Sequence, residues 1–200
     1  MKLKLFSALF LFSTINCFSQ DDVQVVLQES VVNKVLRAIG NFSDTSRYSV
    51  LFFHGTYKWT VIDPKIELKA NGKAEFKCEV QVEAGFISYR DEVIGDAEVW
   101  YDKEKNLINI KIKHGLFEIY THIFGAKMHI KDIDLAEYYT EPLTFEGPKT
   151  LMSTCMDFTM PDNSKKSIYV IPYECSLVVE EKKIIVMCEM QFIDKDPTKR

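Results

Sequence analysis

Glycine and proline are scarce, 8 and 6 in 200 residues. That excludes collagen-like repeats and Pro/Gly-rich low-complexity chains. Basic charge is not in surplus either: 25 Lys and Arg stand against 29 Asp and Glu, a net charge of −4. A chain that grips phosphates needs a cationic surface, so no nucleic-acid partner is expected. Histidine is limited to His54, His114, His122 and His129, whose spacings fit no common metal pattern. Also missing are GxSxG, the P-loop, GxGxxG after a strand, HExxH and CxxC. No catalytic group, metal site or cofactor is therefore expected, and the chain is not expected to be an enzyme. What is present is 46% hydrophobic, 12% aromatic and 27% charged residues, proportions that suit one packed domain.

The first twenty residues, MKLKLFSALFLFSTINCFSQ, stand apart. Lys2 and Lys4 precede an apolar run from Leu5 to Ile15, and small residues Cys17 and Ser19 follow at −3 and −1 of a cut before Gln20. As a helix the run spans about 16 Å, short of the roughly 30 Å of a bilayer core. Residues 1–19 read as a secretory signal peptide. The expectation is an exported protein, periplasmic or secreted, with residues 20–200 as one domain and no membrane span in the mature chain.

Export makes disulfides permissible, and Cys78, Cys155, Cys175 and Cys188 remain after the cut. Ile168 to Val179 and Ile184 to Phe192 both read as strands. If Glu181 and Lys182 form a two-residue turn between them, Cys175 faces Cys188 in a non-hydrogen-bonded pair. There the Cα atoms approach to about 4.5 Å, within disulfide reach. The same register opposes Leu177 to Val186 and Val179 to Ile184. Two small thiols packed side by side fit the pattern nearly as well.

The rest of the chain alternates. Val23, Val26, Leu27, Val31, Val35 and Ala38 recur at spacings of three and four, which predicts an amphipathic helix from Val23 to Ile39, capped by Asp22 and stopped by Gly40. Ser49 to Phe53 and Tyr57 to Val61 are short strand candidates. Asn71-Gly72 signals a hairpin between Ile66–Ala70 and Ala74–Ala84. In the second of these strands Ala74, Phe76, Cys78, Val80, Val82 and Ala84 share one face, and Glu75, Lys77, Glu79, Gln81 and Glu83 the other. One side is dry and one wet. Val93 to Tyr101 and Ile108 to Ile112 continue the pattern around a turn at Asp102 to Asn106. Residues 115–130 suit a helix in one half and a strand in the other. The fold class predicted is α+β, mainly antiparallel β, a long curved meander sheet packed on an N-terminal amphipathic helix.

Polar candidates are few. Asp132 and Asp134 share a strand face near Glu137, which suits acid–base work or calcium, or a charged sheet edge. Asn41-Phe42-Ser43 is a glycosylation sequon. The apolar inventory says more, because one helix cannot cover so much dry sheet. If the sheet curls and leaves space, the lining is Phe76, Val80, Val82, Val99, Ile110, Met156, Phe158 and Met160. Such a lining suits a lipid or another apolar small molecule; the same side chains can equally fill a core.

The order of features also resembles a known family. Ile62-Asp63-Pro64-Lys65-Ile66-Glu67-Leu68 and Gly72-Lys73-Ala74-Glu75-Phe76 lead into a long strand. Gly95-Asp96-Ala97-Glu98-Val99 with Tyr101-Asp102, a turn and Leu107 to Ile112 follow. Over residues 22–135 this order is similar to the tubular lipid-binding superfamily that includes the bactericidal permeability-increasing proteins, and to its small bacterial envelope members. It rests on pattern and order, not on a signature motif. The resemblance implies a twisted antiparallel sheet wrapped around helices, with lipid held in the tube. Such domains usually have a second long helix, and here only residues 115–130 could supply it. The other function class is an exported protein–protein interaction module of the cell envelope, docking through Phe52, Phe53, Trp59 and Trp100.

Overall fold

The computed structural model describes residues 21–50, 53–85, 87–149 and 155–195; the expected signal peptide lies outside them. In chain order the elements are β1 (Val23–Gln28), α1 (Glu29–Ile39), β2 (Phe42–Val50), β3 (Phe53–Leu68), β4 (Ala74–Ala84), β5 (Ile87–Asp102) and β6 (Leu107–Ile112). They continue with β7 (Leu116–Ile123), β8 (Ala126–Asp134), β9 (Leu143–Glu146), β10 (Cys155–Thr159), β11 (Lys165–Glu180) and β12 (Lys183–Ile193). A six-stranded sheet runs β2-β3-β4-β5-β6-β9. A four-stranded sheet runs β1-β12-β11-β10, and β7-β8 form a separate hairpin. All pairings are antiparallel. The mainly antiparallel, curled architecture is as expected; its helical part among the described residues is α1 and one 3-10 turn at Leu135–Glu137.

The helix corrects the sequence expectation. Val23 to Gln28 form a strand, and α1 is the 11 residues that follow. Val23, Val25 and Leu27 alternate as well as they recur at helical spacing. Pairing them with Cys188, Val186 and Ile184 satisfies the free edge of β12. Asp22 does not cap α1; its carboxylate accepts from the Met190 N–H at 2.8 Å. The buried stripe of the helix is Val32 and Leu36, while Val31 is exposed.

α1 docks on the stretch of β3 that β2 leaves unpaired. The Asn33 amide donates to the Ile66 carbonyl at 2.9 Å, and its oxygen accepts from the Ile66 N–H at 2.8 Å. The Glu29 carboxylate accepts from the Leu68 N–H at 2.7 Å. The β11–β12 turn completes this edge, since Lys182 N–H donates to the Leu68 carbonyl at 3.2 Å. Side chains thus stand in for a missing strand, as buried backbone groups require.

The expected strands Tyr57–Val61 and Ile66–Ala70 are one. β3 spans both segments because a bulge at Asp63-Pro64 resets its phase: Ile62 pairs Glu79, but Lys65 pairs Lys77. Before the bulge Tyr57, Trp59 and Val61 are buried; after it Ile66 and Leu68 are. Asp63 takes the left-handed conformation, φ +49°, that such a bulge uses.

The ambiguous segment 115–130 is the β7–β8 hairpin, turned at Phe124-Gly125, both at positive φ. It contains no helix. The chain enters it by crossing β5 closely: the Lys113 N–H donates to the Asp96 carbonyl at 2.8 Å. A Cβ on Gly95 would lie 1.8 Å from the His114 oxygen, so only glycine fits the crossing. The Asp134 carboxylate pins the return, accepting from the N–H groups of Gly115 at 2.9 Å and Ala136 at 3.0 Å.

Candidate functional site

The eight expected lining residues fall on the inward faces of two different sheets. Phe76, Val80, Val82 and Ile110 are wholly or almost wholly buried in the six-stranded sheet, and Val99 packs against them partly buried. Their cover is protein: Val32 and Leu36 of α1, Phe117, Ile119 and Ile133 of the hairpin, Leu135, and Leu27, Ile184, Val186 and Cys188 of the four-stranded sheet share their cluster. Aromatic rings close it, with Tyr139 centred 5.5 Å from Phe76 and Phe117 5.6 Å from Trp59. Four of the eight residues are therefore core, and Val99 borders it.

Met156, Phe158 and Met160 lie elsewhere, on and just after β10 at the edge of the four-stranded sheet. Opposed residues in a sheet share a face, and so do residues two apart along a strand. On β12, Cys188, Met190 and Phe192 therefore look the same way. Across the ladder Phe192 opposes Val170 and Met190 opposes Pro172. Two steps along β11, Ile168 opposes Met156 and Lys166 opposes Phe158. The face that carries Cys188 in the core thus continues past the core as an apolar strip. Val170 on it is 3% exposed, Phe192 55% and Phe158 49%.

Two features hold this strip in place. Cys175 and Cys188 form the expected cross-strand disulfide, with Cα atoms 4.1 Å apart around the expected Glu181-Lys182 turn. Beyond it a bulge between Pro172 and Cys175 resets β11, so that Val170 and Cys175, five residues apart, both face inward. The carbonyl of Tyr173 at this bulge accepts from Lys103 of the β5–β6 turn, whose ammonium lies 5.7 Å from the Tyr173 ring centre. The sequence reading named Met156, Phe158 and Met160 and did not name Ile168, Met190 or Phe192. The register that pairs Cys175 with Cys188 extends along β12 to Met190 and Phe192, but the bulge between Pro172 and Cys175 shifts β11, so the face of Ile168 does not follow from it.

The polar candidates are arranged for structure. Clefts of about 470 and 420 Å³ flank the Asp63-Pro64 bulge, lined by charged groups that include Lys65, Glu79, Arg90 and Asp91 in one and Glu29, Arg37 and Lys182 in the other. A third, of about 340 Å³, touches Val99. Asp134 is occupied by its backbone bonds, and His129 Nδ1 lies 3.1 Å from Glu118. Among the described residues no three His, Cys, Asp or Glu side chains are placed to hold a metal ion. Burial pushes the Cys78 thiol up to about 12, far from thiolate chemistry. The Tyr139 hydroxyl is buried with no hydrogen-bond partner.

The aromatic docking patch is corrected. Trp59 is 1% exposed and Trp100 is half-buried. Phe52 and the Phe53 side chain lie outside the described residues. No helix among the described residues is long and apolar enough to cross a membrane. No protein-family model matches the chain, and no curated protein matches it in sequence.

Proposed function

We propose that this is an exported protein that binds an apolar ligand, a lipid acyl chain, along the partly uncovered strip of its four-stranded sheet. One observation carries the reading: Phe158 and Phe192 stay about half exposed on the face that elsewhere forms the core. Covering the exposed half of each ring returns roughly 1 kcal/mol apiece, and Met156 and Met190 adapt to an irregular partner. The Cys175–Cys188 disulfide supports export, because such bonds persist in oxidising compartments. The resemblance to tubular lipid-binding domains agrees with the ligand class, with the site moved from an enclosed tube to an open face.

The test is native mass spectrometry of the mature protein, with titration of a fluorescent fatty-acid probe. Bound lipid or saturable probe binding is expected, and it is expected to fall at least tenfold in Phe158→Asp with Phe192→Asp. Absence of both signals would sink the reading. The envelope interaction module is the second reading, favoured by the edge position of β10 among the described strands of the four-stranded sheet, where a partner strand can be added. Crosslinking to an envelope protein that is lost in the same double variant, without any lipid signal, decides for it.

A further inference from the structure

We propose that the strip selects a single-chain carboxylate, with Lys166 as the residue that holds the head group. This rests on the apolar-ligand reading and adds the ligand's charge and polarity.

Lys166 opposes Phe158 across β10–β11, so its side chain rises from the apolar face itself. Its neighbour Lys165 opposes Thr159 and points to the other face. Both are exposed, and neither has an ion-pair partner among the described residues. The acids of this hairpin are engaged elsewhere. The Asp157 carboxylate accepts from the Ser167 hydroxyl at 2.6 Å on the far face, and Asp162 accepts from both the N–H and the hydroxyl of Ser164. An uncompensated cation therefore stands at one end of the apolar strip of an acidic protein of net charge −4.

The dimensions fit one chain. From Pro172 to Lys166 the strip runs along β11 for about 20 Å at roughly 3.4 Å per residue, the length of a long acyl chain. It is about two side chains wide: Phe192, Met156 and Phe158 flank Val170, Ile168 and Lys166. A carboxylate at Lys166 with its tail directed toward Met190 matches charge to charge and apolar surface to apolar surface.

The test compares a long-chain fatty acid with the alcohol of the same chain, using the mature protein at low salt and below the micellar concentration of either. The acid is expected to bind about three- to fivefold tighter, the scale of one exposed ion pair, with the advantage shrinking as salt rises. Lys166→Gln is expected to weaken acid binding about three- to fivefold and so abolish the difference, with the melting temperature unchanged. Lys165→Gln, on the opposite face, is expected to keep it. Equal binding of acid and alcohol overturns the head-group assignment and leaves the apolar-ligand reading standing. Binding of neither overturns both. Cosedimentation with phosphatidylglycerol vesicles without binding of the monomeric acid assigns the strip to a membrane surface and overturns the proposal.

Discussion

Phe76 and Phe192 both occupy inward positions on long antiparallel strands, yet Phe76 is wholly buried and Phe192 is 55% exposed. The difference is not in the strands, which alternate alike. It lies in what the chain places over them. Phe76 shares its cluster with Val32 and Leu36 of α1, Phe117 and Ile119 of the hairpin, and Leu27, Ile184, Val186 and Cys188 of the four-stranded sheet, with the Tyr139 ring 5.5 Å from its own; Phe192 belongs to no such cluster. Alternation chooses a residue's face, and long-range topology chooses whether that face is hidden. The contrast predicts unequal truncations. Phe76→Ala is expected to cost about 3–5 kcal/mol, and Phe192→Ala less than about 1 kcal/mol, both from urea unfolding midpoints at equal slope. Equal losses would mean that Phe192 is as tightly packed as Phe76, and the strip would lose its standing as open surface.

The disulfide marks the border between covered and uncovered face. Cys188 belongs to the core cluster, while Met190 and Phe192 beyond it do not. A bond closing a separation of 13 residues is worth about 3 kcal/mol on loop entropy. Cys175→Ser with Cys188→Ser is expected to lower the melting temperature by roughly 6–12 °C at this chain length. A scan with and without reductant checks it. An unchanged melting temperature would show that the four-stranded sheet unfolds separately from the rest.

Asn33 tests the joint that lets one sheet cover the other. It satisfies both backbone groups of Ile66, while Glu29 and Lys182 serve Leu68 alongside. Asn33→Leu leaves a partly buried N–H and carbonyl unpaired, at about 1–3 kcal/mol. Hydrogen exchange at the Ile66 amide is expected to quicken in the variant. If Ile66 stays protected, Val32, Leu36 and the Glu29–Leu68 bond hold α1 in place without Asn33.

Much of this was legible where a residue's neighbours in sequence decide its state. The face of β4 follows from its alternation, and the 175–188 pairing from one turn and a sum of apolar coincidences. Val23 to Gln28 misled because a run of valines satisfies the period of a helix and of a strand at once; only the free edge of β12 decides between them. β3 looked like two strands because its phase changes at Asp63-Pro64, which is the signature of a bulge and not of a break. The β7–β8 hairpin turns on Phe124-Gly125, where a phenylalanine takes the left-handed position that Asn or Asp usually fills, so no turn signal was visible. The expected lining residues were merged into one site although they lie on two sheets, because periodicity carries no information about which sheet lies opposite.

The smallest effect expected is on the wet side of the filled sheet. Glu67 lies 2.8 Å from both Lys69 and Lys77 and 3.6 Å from Lys65. Hydrogen bonds from Lys69 and Lys77 hold its carboxyl down at about 2, against an ordinary 4.5. A carboxyl depressed by folding stabilises the native state at any pH above its unfolded value, so this contribution is complete above pH 4.5. It drains away as the pH falls toward 2, because the native state is then forced to take up a proton it resists. The cluster is solvent-facing, and screening keeps the total below about 1 kcal/mol. Glu67→Gln is expected to flatten the stability curve between pH 4.5 and 2 and to leave it unchanged in shape above pH 5, measured by urea midpoints at low salt. High salt should erase the difference. Should the acid limb keep its slope in the variant, the charges on the outer face of β3 and β4 contribute solubility alone, and the apolar cover that separates Phe76 from Phe192 accounts for the stability of that sheet.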